Sequence, residues 1–204
     1  MEQFLVIIST IRIARGFSIM ELLCVMAIMA ILLTGALPAL SSLLQSSNLT
    51  RGGQMMIDQL SMARQIAAAK NRTVEVRLIK LNPTDGAYAG LQLWTVEPNG
   101  SSTPADRLVR LPNDIYISTS PTLSPPFSTL TSSNMAVAGL SGLPYTSFKV
   151  RPAGSVEPVQ APANRSSFYF TFVNGRFTNS STAPRNYVTL QINPDTANPI
   201  IYRP

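Results

Sequence analysis

Histidine is absent from this 204-residue sequence. Its absence removes the commonest general base, the commonest metal ligand and the usual partner of a Ser or Cys nucleophile. The single cysteine, Cys24, admits no disulfide within the chain. Although the formal charge is +6, no run of Lys and Arg marks a nucleic-acid patch. No metal-ligand cluster, phosphate loop or nucleophile elbow appears, so neither a cofactor nor a metal nor an enzymatic activity is expected. Asp85-Gly86 and Asp195 are read as turn chemistry, because calcium needs several convergent oxygens. Long helices are also excluded from the later part of the chain. All sixteen prolines except Pro38 lie beyond residue 80, which favours short strands joined by turns.

What the sequence does contain is concentrated near its start. Arg15-Gly16-Phe17-Ser18-Ile19-Met20-Glu21-Leu22-Leu23 leads into Cys24-Val25-Met26-Ala27-Ile28-Met29-Ala30-Ile31-Leu32-Leu33. Between Phe17 and Leu33 the only charge is Glu21. A carboxylate in such a run costs roughly 2.5–3.5 kcal/mol on membrane insertion. A secretory signal would carry a basic start and a small-x-small cleavage site. Here the start is apolar, and Thr34-Gly35-Ala36 is a poor candidate that would leave Glu21 inside the core. A lipoprotein signal requires a small residue before the cysteine, and Leu23 precedes Cys24. A plain anchor leaves Glu21 unexplained.

The segment resembles the class III signal of type IV prepilins, pseudopilins and their relatives. The resemblance implies a leader of residues 1–16, cut by prepilin peptidase between Gly16 and Phe17, with methylation of the new Phe17 amine. Leu5, Val6, Ile7 and Ile8 make this leader more apolar than is usual in the family. Glu21 becomes the fifth residue of the mature chain. There it could neutralise the amine of a neighbouring subunit, so that two buried charges become tolerable only when paired. The resemblance further implies an inner-membrane segment over 17–44, crossing once, with the remainder in the periplasm. Its partners would be other pilin or pseudopilin subunits, the inner-membrane assembly platform and the lipid bilayer. Pro38 is expected to kink the helix, because proline removes a helix hydrogen bond whatever the family.

Beyond residue 44 the helical pattern resumes over 45–72. Leu49, Met56, Leu60, Ala63 and Ala67 form one apolar stripe, with Arg51, Asp58, Gln65 and Lys70 on the wetter side. Gly52-Gly53 is expected to be a bent or flexible point, and Asn71 to be the helix end. The stripe demands a β-surface to cover it. Thr73–Ile79 alternates as a half-buried strand. Further strands are expected at 91–96, 108–111, 115–118, 147–151, 168–173, 187–192 and near 200–202. An Asn174-Gly175 hairpin and a Pro/Ser/Thr-rich exposed loop at 118–134 complete the expectation.

The fold class is therefore α+β: a long N-terminal helix, half membrane and half amphipathic, packed on a small antiparallel β-sheet head spanning 73–204. The junction Ala63-Arg64 through Arg72-Thr73-Val74 resembles the minor pseudopilin H and FimT-like subgroup. The closing stretches 186–194 and Ile200-Ile201-Tyr202-Arg203-Pro204, together with the front end, resemble the Verru_Chthon cassette protein D class. The family offers two roles: a structural filament subunit of a type II secretion or type IV pilus-like machine, or a DNA- or surface-binding minor pilin. For the second, the candidate cations are Arg64, Lys70, Arg72 and Arg77.

Overall fold

The computed structural model describes residues 17–82, 86–137, 140–158, 166 and 168–204. The expected leader, Gly16 and Asp85 lie outside the described residues. The chain divides into two units, 1–42 and 43–204. The helix α1, Ile19–Lys70, contributes to both.

In the first unit α1 begins after Ser18, whose carbonyl accepts the Leu22 N–H at 3.0 Å. Ser18 and Glu21 stand at the Ser-x-x-Glu spacing that favours a helix start, with an acid where the helix dipole is positive. Every described side chain from Phe17 to Thr34 is exposed.

The second unit is built around the C-terminal half of α1. Leu49, Met56, Leu60, Ala63 and Ala67 are buried in the main core, while Arg51, Asp58, Gln65 and Lys70 are exposed, as the 3.6-residue pattern requires. The helix closes at Asn71, which takes φ 50°. Arg72 N–H donates to the Ala67 carbonyl at 3.1 Å and Asn71 N–H to that of Ala68 at 3.4 Å. This is a Schellman ending with Asn in the left-handed position.

Eleven strands follow among the described residues: β1 Val74–Ile79, β2 Gly90–Val96, β3 Ser102–Pro104, β4 Val109–Arg110, β5 Ile115–Ile117, β6 Ser132–Val137, β7 Leu140–Val150, β8 Val156–Glu157, β9 Tyr169–Asn174, β10 Val188–Ile192 and β11 Pro199–Tyr202. The first sheet runs β3-β2-β1-β7-β6, with β4 on β2 and β8 on β7; the second runs β11-β10-β9-β5. All their pairings are antiparallel. The inner faces of both sheets meet the α1 stripe. Phe148 of β7 and Phe170 of β9 join the sheets with ring centroids 5.8 Å apart, and Phe168 lies edge-on to both.

Four expectations are corrected. Gly52-Gly53 is not a bend but a close approach within α1: a Cβ on Gly52 would lie 3.1 Å from Ile115 Cγ2, and one on Gly53 2.9 Å from Ile201 Cδ1 and 3.0 Å from Val188 Cγ1. Strand β1 is buried on both faces rather than one. Pairing with β2 and β7 makes it central, and a second small core forms on its outer side around Ile79, Met135 and Leu143. Asn174-Gly175 makes no hairpin turn. Gly175–Phe177 is a 3-10 turn, and Gly175 is required because a Cβ there would lie 2.7 Å from Asp114 Oδ1. The 118–134 stretch is not a free loop. It buries Ser118, Leu123, Ser124 and Leu130, and Ser124 Oγ accepts the Thr171 N–H of β9 at 3.1 Å. Phe127, in the 3-10 turn Pro125–Ser128, stacks on Tyr88 at 4.7 Å.

Gly53→Leu should lower the thermal midpoint of the detergent-solubilised chain, with a loss of about 1–3 kcal/mol from overpacking against Val188 and Ile201. A hinge at this site would instead tolerate the substitution or be stabilised by it.

Candidate functional site

The N-terminal part of α1 carries an unusual surface. Phe17, Ile19, Met20, Leu22, Leu23, Met26, Ile28, Met29, Ile31, Leu32 and Leu33 are all exposed. A helix apolar all round does not face water by itself; it belongs in lipid or among other helices. Glu21 lies in its first turn, exposed, one turn from Phe17. Among the described residues no helix is long and apolar enough to cross a membrane. The apolar stretch with described side chains ends at Thr34, short of the roughly 20 residues a span needs. The side chains of residues 35–40 lie outside the described residues. Pro38 falls within the range of α1, and the expected kink concerns a side chain outside the described set.

A lone carboxylate just inside an exposed apolar helix, directly after Gly16-Phe17, is the decisive arrangement. Residues 11–37 match the prokaryotic N-terminal methylation motif. This segment covers Arg15, Gly16, Phe17 and Glu21 together. No curated protein matches the chain. Among solved structures, the minor pseudopilin EpsH from the type 2 secretion system of Vibrio cholerae is similar at 10% identity, covering 77% of this chain and 98% of that one, with a TM-score of 0.44. The type IV minor pilin FimU of Pseudomonas aeruginosa is similar at 13% identity, covering 78% of this chain and 89% of that one, with a TM-score of 0.43.

Beyond the methylation-motif segment, the four candidate cations do not form one accessible patch. Arg64, on α1, donates from Nη1 to Asn198 Oδ1 at 3.0 Å. Lys70 is the exposed last residue of α1. Arg72 is 2.9 Å from Glu97, in a pair about one-third exposed. Arg77 is only 7% exposed; a surface role for it is corrected by its place on the central strand. The guanidinium donates from Nε and Nη2 to Glu75 Oε2 at 2.9 and 2.7 Å. It is clasped between Trp94 and Tyr145, 4.0 and 4.4 Å from their ring centroids. Ser147 Oγ donates to the other Glu75 oxygen at 2.6 Å, and Trp94 Nε1 donates to Gln92 Oε1 at 3.1 Å.

The Glu75–Arg77 pair is not legible in the alternation of β1 alone, because that pattern by itself marks one face as wet. A signal was present: opposite charges two residues apart on a strand share a face and can pair. No group of acids, Cys or His that could hold a metal occurs among the described residues.

Glu75→Ala should cost about 3–5 kcal/mol by stranding the Arg77 charge in the outer core, whereas the Glu75→Gln/Arg77→Met double variant should cost clearly less. Chemical denaturation of the single and double variants measures the difference. Equal losses would mean the pair is not electrostatically coupled.

Proposed function

We propose that the chain is a structural minor pilin or pseudopilin subunit of a type II secretion or type IV pilus-like filament. Prepilin peptidase would cut between Gly16 and Phe17 and methylate the Phe17 amine. Residues 17–44 would hold the subunit in the bacterial inner membrane as a single span, with residues 45–72 continuing into a periplasmic head formed by 73–204. During assembly, the membrane segment would pass from lipid into a bundle of like helices on the assembly platform. The observation that carries this reading is the matched methylation motif, with Glu21 as the lone charge in an exposed apolar helix.

Glu21 gives the motif a mechanism. A carboxylate and a free amine are each costly in a low-dielectric bundle, and each lowers the cost of the other when they approach. Pairing Glu21 of one subunit with the Phe17 amine of the next would fix the stagger between them. The alternative, a DNA- or surface-binding minor pilin, draws less support. Arg77 is buried, and both Arg72 and Arg77 are neutralised by acids within the head. Phosphate binding needs cations free to release counterions.

Co-expression with an active prepilin peptidase should yield a membrane-bound chain that begins at Phe17 and carries one added methyl group, read by intact mass and N-terminal peptide mapping. Retention of residues 1–16, while a control prepilin is processed, overturns the assignment. Glu21→Ala should be cut normally yet lose at least tenfold in filament incorporation, read by cross-linking of sheared filaments. Normal incorporation would remove the pairing role from Glu21.

A further inference from the structure

We infer that the head binds anionic lipid headgroups through a collar of three arginines, Arg51, Arg185 and Arg203. The inference rests on the reading of residues 17–44 as a membrane segment, and deepens it by naming a lipid contact outside that segment.

The collar is assembled by the β10–β11 hairpin and the first turns of α1 within the head. In this hairpin Thr189 pairs with Tyr202 and Ile192 with Pro199, so the residues before β10 and those after β11 meet at one end. Arg203 fastens that end to α1. Its guanidinium donates to Thr50 Oγ1 at 2.5 Å, to the Ser46 carbonyl at 3.2 Å and hydroxyl, and to Asn186 Oδ1 at 3.3 Å. Arg51 directly follows one anchor and Arg185 directly precedes another. Both are exposed.

The collar's charges stand outside the ion pairs of the head. None of the three arginines takes part in an ion pair among the described residues, and Arg203 is held by neutral acceptors only. Residues 43–53 contain no acid. Asp195 sits in the turn between β10 and β11, at the opposite end of the hairpin. Asp114, whose neighbour Ile115 packs on Gly52, is exposed and accepts a hydrogen bond from Asn174 Nδ2 at 2.5 Å, which leaves its charge in place; it forms no ion pair with the collar among the described residues.

Position selects the partner. Ser46, gripped by Arg203, lies within one turn of Leu43 and Leu44, which are 66% and 58% exposed. These leucines belong to the same unit as the collar. Tyr202, half exposed, stands beside Arg203. Arginines and a tyrosine beside exposed leucines match the headgroup layer, where guanidinium meets phosphate and the phenol lies at the water boundary. A soluble polyanion would require no such apolar neighbours.

The test uses the full chain reconstituted in phosphatidylcholine vesicles and in vesicles that also contain phosphatidylglycerol. Hydrogen exchange is followed in peptides covering 43–53, 183–187 and 199–204, with β1 and β9 peptides as fold controls. Anionic vesicles should slow exchange in the collar peptides alone, and high salt should abolish the difference. Arg51→Gln/Arg185→Gln removes charges that hold no intramolecular bond among the described residues and should weaken the protection by about fivefold per arginine. A chain that floats with both vesicles but shows no dependence on lipid charge overturns the collar and leaves the membrane reading intact. A chain that floats with neither overturns both. Equal collar protection by duplex DNA, with none from anionic vesicles, overturns the lipid assignment in favour of nucleic acid.

Discussion

The head depends on the burial of one stripe of α1. Leu49, Met56, Leu60, Ala63 and Ala67 form a ridge that neither sheet could cover alone, and the inner faces of both sheets converge on it. The small residues have distinct purposes. Ala63 and Ala67 keep the ridge low, and Gly52 and Gly53 allow Ile115, Val188 and Ile201 to approach the helix backbone. The helix accepts the propensity cost of two glycines because side chains from β5, β10 and β11 occupy the space a Cβ would take.

Charge is handled differently in the two parts of the chain. In the head, Glu75 and Arg77 are buried together, each satisfied by further hydroxyl or aromatic contacts. Such a pair adds little net stability compared with an apolar replacement, but losing one member is costly. In the N-terminal segment, Glu21 stands alone among the described residues 17–34. In the proposed assembly, its requirement for a counter-charge would suit that segment to a bundle of like helices rather than to simple anchoring.

Much of the fold was legible in the residues. The stripe on α1, its polar opposite face and the helix end at Asn71 followed from 3.6-residue spacing and local capping chemistry. The centres of β1, β2, β5, β9, β10 and β11 followed from short apolar or alternating runs between turn residues. The three-residue β3 and two-residue β8 escaped, because strands this short exist only through pairing with β2 and β7. Strand β6 was hidden by the polar composition of Ser132-Ser133-Asn134. Asn174-Gly175 misled because the same dipeptide serves a hairpin turn or a close backbone approach, and the neighbour, Asp114, is distant in sequence.

The sequence alone determined the methylation-motif segment, since Gly16, Phe17, Glu21 and the apolar run are adjacent and their pattern is local. It also determined the helix stripe and the need for a β-surface to cover it. Only the tertiary structure decided which charges remain free. Arg77 disappears beneath Trp94 and Tyr145, while Arg203, far along the chain, is brought to Ser46 and Thr50. Whether an arginine can meet a partner depends on neighbours supplied by non-local strand pairing, and no local pattern of residues encodes them.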